Sequence, residues 1–108
     1  LVQELNDTKA KRMYETPWIL VSVHVPLYNT FSAHQNEETA IHMLNIIEPL
    51  FVEHRVNLVM SGHAHGYSRS KGVAYGLVKA TAPIYITVGE GGNREGHSRS
   101  YNNDMPED

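Results

Sequence analysis

No cysteine occurs among the 108 residues, which excludes a disulfide framework, a thiolate zinc site and a cysteine nucleophile but leaves the redox compartment open. No apolar run approaches the roughly 20 residues that cross a bilayer, so no membrane partner is expected. Charge of either sign is sparse. The 9 Lys and Arg stand against 12 Asp and Glu, for a formal net charge of -3. No block of like charge offers a nucleic-acid footprint, so no nucleic-acid partner is expected, and an anionic substrate would need local positive groups. Internal repeats and low-complexity tracts are missing. So are a G-x-S-x-G nucleophile elbow, an H-E-x-x-H helix and a Walker loop. The stretch Gly89-Glu90-Gly91-Gly92-Asn93 lacks the Lys-Ser/Thr ending and reads as a tight turn with Glu90 solvated. A leucine opens the chain in mid-pattern, as expected of a segment of something longer.

What is present is enough for one small domain. Leu1, Val2 and Leu5 share a helical face ahead of polar Asn6 to Lys11, the pattern of a helix in its last turns. After Pro17, the run Trp18 to His24 is apolar and β-branched and predicts a strand buried on both faces, with His24 at its C-terminal end before Pro26. A loop from Val25 to Gln35 follows. Ile41, Leu44, Ile47 and Phe51 recur at helical spacing and predict a helix from about Asn36 to His54, kinked or divided at Pro49. Asn57 to Ser61 reads as the next strand, Gly62 to Ser70 as a loop, and Val73 to Lys79 and Ile84 to Val88 as further strands. The tail beyond Arg94 reads as loop. Strand, helix and strand joined in this way predict a parallel βαβ unit and an α/β fold.

In a parallel unit the strand ends carrying His24 and His63 lie at the same sheet edge, where open α/β sheets hold ligands. Neutral imidazole is the commonest side-chain metal ligand, and a strand end fixes its direction. His63 and His65 form an H-x-H pair, which alone is weak evidence and reads better as a solvated turn. Three histidines at one edge shift the reading of His24, His63 and His65 toward a metal ligand set. His34 could overhang the same edge as a proton donor or phosphate-binding group, or be a solvated loop residue. His42, His54 and His97 read as solvated.

The motifs V-S-V-H-V-P-L-Y-N-T, N-L-V-M-S-G-H-A-H-G-Y-S-R-S and A-P-I-Y-I-T-V-G-E-G-G-N-R-E-G, in this order, resemble the purple acid phosphatases, members of the calcineurin-like metallophosphoesterases. The resemblance implies a four-layer α/β/β/α sandwich, of which residues 1–108 would be the C-terminal portion of the catalytic domain, truncated at both ends. It implies acid phosphatase activity on phosphate monoesters through a binuclear centre of Fe(III) with Zn(II), Mn(II) or Fe(II). His24 and His63 would bind the divalent metal and His65 the ferric ion. His34 matches the second of two neighbouring histidines that contact the substrate phosphate and assist leaving-group departure, and here Ala33 stands in place of the first. The family's aspartate, tyrosine and asparagine ligands belong to D-x-G, G-D-x-x-Y and G-N-H-E motifs that do not occur in this chain, so a missing N-terminal half of the domain would supply them. Tyr67 does not take the place of that tyrosine. The resemblance also implies an extracytoplasmic or secreted address and admits a homodimer. Two alternatives are a phosphodiesterase or nucleotide pyrophosphatase of the same superfamily, and a non-catalytic fragment or interaction module.

Overall fold

The computed structural model describes residues 1–11, 15, 17–92, 94–98 and 100–101. Helix α1 spans Val2–Lys11, strand β1 Leu20–Ser22, helix α2 Glu38–Glu53, and strands β2 to β5 Leu58–Ser61, Tyr67–Ala74, Leu77–Val78 and Ile84–Val88. The five strands form one mixed sheet in the order β1-β2-β5-β3-β4. β1, β2 and β5 run parallel, while β3 is antiparallel to both β5 and β4. The βαβ unit expected from the sequence is therefore present, with α2 as its crossover. Helix α2 starts and stops within two residues of expectation and continues through Pro49 as one helix.

Asn57 ties the entry of the three parallel strands together. Its side-chain oxygen accepts the Ile19 N–H at 3.0 Å, its own N–H donates to the Ile19 carbonyl, and its carbonyl accepts the Ile84 N–H. The core forms where α1 and α2 meet one face of the sheet: Leu5, Phe51, Val56, Val59 and Tyr85 are buried, with Leu44, Ile47 and Val73 packed around them. Alternation along β2 and β5 sends Val59 and Tyr85 to this face and Met60 to the other. Burial of a residue such as Phe51 contributes about 1.5–3 kcal/mol.

Three expectations are corrected. β1 is shorter than Trp18 to His24 and is not buried on both faces. Among the described residues it is an edge strand, paired only with β2, so Leu20 is 57% and Trp18 69% exposed. The loop from Gly62 to Ser70 ends early and the strand from Val73 to Lys79 divides. Tyr67 to Ala74 pairs along β5, and a turn at Tyr75 and Gly76, both left-handed at φ 56° and 72°, sends the chain back as β4. His54 is buried at 3% exposure rather than solvated, because α2 ends there and the chain turns back through Arg55, at φ 53°, into β2. His42 and His97 are exposed, as expected. The described residues contain one sheet, and its far face carries exposed Leu20, Met60 and Val88.

Loop residue Tyr28 locks α2 to the hairpin. Its hydroxyl donates to the buried Glu48 carboxylate at 2.5 Å, and desolvation, followed by that carboxylate, pushes the phenol pKa up to about 12. A folded pKa above the unfolded value of about 10 means stabilisation that is complete below that pH and lost as pH rises through about 12. Ultraviolet titration of tyrosinate should therefore show a component with a midpoint near 12 that Tyr28→Phe removes. The same variant should cost about 1–3 kcal/mol in urea unfolding, because Glu48 loses a donor.

Candidate metal centre

The β1–β2 pairing continues past the end of β1. Val23 N–H donates to the Met60 carbonyl and Gly62 N–H to the His24 carbonyl, which brings His24 beside the loop that follows β2. The rings of His24 and His63 meet edge to face at 5.1 Å, and those of His34 and His63 lie 4.1 Å apart. His24, His63 and His65 line one cleft of 420 Å3 together with Gly62, Val88 and Gly89. All four histidines singled out in the sequence thus gather at the C-terminal edge of the parallel strands, three of them lining the cleft and His34 reaching it through His63.

The 62–66 loop is held tightly. Ala64 N–H donates to the Gly62 carbonyl, Gly66 N–H to the Ala64 carbonyl, Gly89 N–H to the Gly66 carbonyl, and Ser98 N–H to the His65 carbonyl. Gly89 and Gly66 act by close approach. A Cβ on Gly89 would collide with the Ala64 carbonyl, whose carbon lies 2.7 Å away, and one on Gly66 would collide with the buried Phe31 ring. Gly92, at φ 83°, is the residue that serves the turn expected at 89–93; Asn93 lies outside the described residues. His34 and His63 both sit in left-handed backbone, each at φ 61°. Non-glycine residues held there cost free energy and cluster at functional sites.

Glu37, which sequence reasoning missed, organises the rings. Its Oε1 meets His34 Nδ1 at 2.6 Å and its Oε2 meets His63 Nε2 at 3.0 Å. The His34 bond first, and the His63 bond with it, hold the Glu37 carboxyl below its ordinary range against opposing desolvation. Its charge therefore persists below the ordinary carboxylate value and is lost only as pH falls through the lowered folded value. The available signal was a carboxylate three residues after His34, at the residue that precedes α2. One donor atom each from His34, Glu37 and His63 lie within 4.8 Å of one another, a group able to hold a metal ion. His65 Nδ1 faces the exposed Glu95 carboxylate at 3.6 Å, and Glu90 lies 3.4 Å from His97 rather than in the cleft wall.

A mixed α/β sheet whose parallel strand ends gather histidines over a cleft is an open α/β fold with a candidate metal site at its strand ends. The chain belongs to the purple acid phosphatase family. It is 50% identical to purple acid phosphatase 1 of Ipomoea batatas over 93 residues, covering 76% of this chain and 19% of that protein. It is 45% identical to purple acid phosphatase 18 of Arabidopsis thaliana over 92 residues, covering 85% of this chain and 21% of that one. The solved structure of purple acid phosphatase PPD1 from yellow lupin (Lupinus luteus) seeds superposes with a TM-score of 0.65 at 17% identity, covering 97% of this chain and 20% of that chain, and shows the same fold. The chain thus spans about a fifth of the length of these relatives. No protein-family model matches it.

Proposed function

We propose that the chain is the C-terminal portion of a purple acid phosphatase catalytic domain and supplies the histidine side of a binuclear metal centre that hydrolyses phosphate monoesters. The observation that carries this reading is the convergence of His24, His63 and His65 on one cleft at the ends of parallel strands. The donors fit a metal: a ligating imidazole holds its other nitrogen on a carboxylate or carbonyl, and His63 has Nε2 on Glu37. Nδ1 is then the ligating atom of His63. In that centre His24 and His63 would hold the divalent ion, and His65 the ferric ion. When bound, such metals would make a water at the site far more acidic and would neutralise the phosphate charge. Ligands from the rest of the domain complete the set, and with Ala33 in place of a second histidine, His34 alone serves the phosphate. Glu37 fixes His34 at Nδ1, so Nε2 is the atom that passes a proton to the leaving oxygen.

Glu37→Gln keeps the shape and removes the charge, and should weaken zinc binding about 10- to 100-fold, read by competition with a chromophoric chelator. The activity is tested on a protein carrying this chain within the family's full length. The reading expects turnover of nitrophenyl phosphate to exceed that of the bis-nitrophenyl diester; the reverse order supports the phosphodiesterase alternative. A second reading is favoured by the tight group of His34, Glu37 and His63: a chain that by itself holds one ion, without catalysis.

A further inference from the structure

A second cavity, also of 420 Å3, opens between α2 and the β3–β4 turn and shares no lining residue with the histidine cleft. Tyr28, Leu44, Glu48, Pro49, Tyr75 and Gly76 wall it. Glu48 is only 3% exposed. Its Oε1 accepts the Tyr28 hydroxyl at 2.5 Å and the Tyr75 N–H at 3.1 Å, and the Tyr28 oxygen in turn accepts the Gly76 N–H at 3.0 Å. All of these donors are neutral, and among the described residues no Lys, Arg or His pairs with Glu48. A buried carboxylate without a counter-charge is costly, and a cation in the adjoining cavity would offset that cost. The walls suit an organic cation. Tyr28 and Tyr75 line the cavity beside the carboxylate, and the exposed Tyr75 ring lies within cation–π range of an ammonium, with Lys79 Nζ 5.4 Å from its centroid. An inorganic divalent ion does not suit it, because a single carboxylate supplies too few oxygen ligands.

We propose that this cavity binds a small organic cation, with an ammonium group seated between the Glu48 carboxylate and the rings of Tyr28 and Tyr75. The site is independent of the metal centre, because neither its walls nor its charge involve the histidines.

The test titrates the chain with choline and, separately, with the neutral isostere in which a tert-butyl group replaces the trimethylammonium, following the aromatic proton resonances of Tyr28 and Tyr75. Choline should give saturable shifts and the isostere none. Glu48→Gln should weaken choline binding about tenfold or more. Tyr75→Asn removes one wall while leaving Asn-Gly at a left-handed turn that favours this pair, so the fold is kept and affinity should fall roughly 3- to 30-fold. Equal shifts from choline and its isostere, no saturable shift with choline, or unchanged choline affinity in Tyr75→Asn would overturn the proposal.

Discussion

Gly89→Ala is expected to be the most damaging small substitution in the chain. The added methyl would collide with the Ala64 carbonyl, and both partners are backbone, so no rotamer change relieves the contact. Either the end of β5 or the 62–66 loop must move. The loop has little freedom, because four backbone hydrogen bonds hold it to itself, to Gly89 and to Ser98. The cost falls at the upper end for overpacking, about 3 kcal/mol in urea unfolding. Ala64 lies between His63 and His65, so a displacement of the loop that relieves the clash also moves the two imidazoles, and zinc affinity should then drop with stability. Gly91→Ala is the matched control: a Cβ there meets nothing within 4 Å, and its effect should stay within about 0.5 kcal/mol. Equal stability of the two variants would contradict the packing argument.

His63→Ala carries the second large effect. His63 touches His24, His34 and Glu37 at once, so its removal deletes a proposed ligand and the anchor of the neighbouring rings. Zinc affinity should fall on the order of 100-fold or more, beyond the loss caused by an outer partner such as Glu37. His42→Ala, on the exposed side of α2, should change nothing. In a protein of the family's full length, metal content and phosphatase activity should fall together. Unchanged metal stoichiometry in His63→Ala would sink the ligand role.

Much of the site's position was legible from the sequence, for a specific reason. The runs ending at His24 and Ser61 are apolar and β-branched, and a helix-length crossover between them forces a parallel pair whose ends share an edge. That geometry alone places His24 and His63 side by side. What escaped depends on contacts distant in sequence. β3 has no apolar run. Tyr67-Ser68-Arg69-Ser70 alternates in exposure and becomes a strand only because β5 supplies its antiparallel ladder. His54 sits in a helix-end sequence that looks solvated, and its burial arises from the tight return into β2. Glu37 reads as an ordinary acidic residue at a helix start until the 62–66 loop brings His63 within 3.0 Å of it. Gly89 was read as a turn glycine, whereas its use is to let the end of β5 lie against the Ala64 carbonyl. The exposure of Leu20, Trp18 and Val88 reflects the edge position of β1 and a sheet face that no other described layer covers, neither of which periodicity reports.

The central claim, that His24, His63 and His65 form one metal-binding edge, is tested most directly by titrating the chain, labelled with 15N at histidine, with zinc and following the imidazole nitrogens. The account predicts that His24, His63 and His65 respond together and saturate together, while His42 and His97 do not move. A response confined to His34 and His63, or one confined to the exposed His42 and His97, would contradict it.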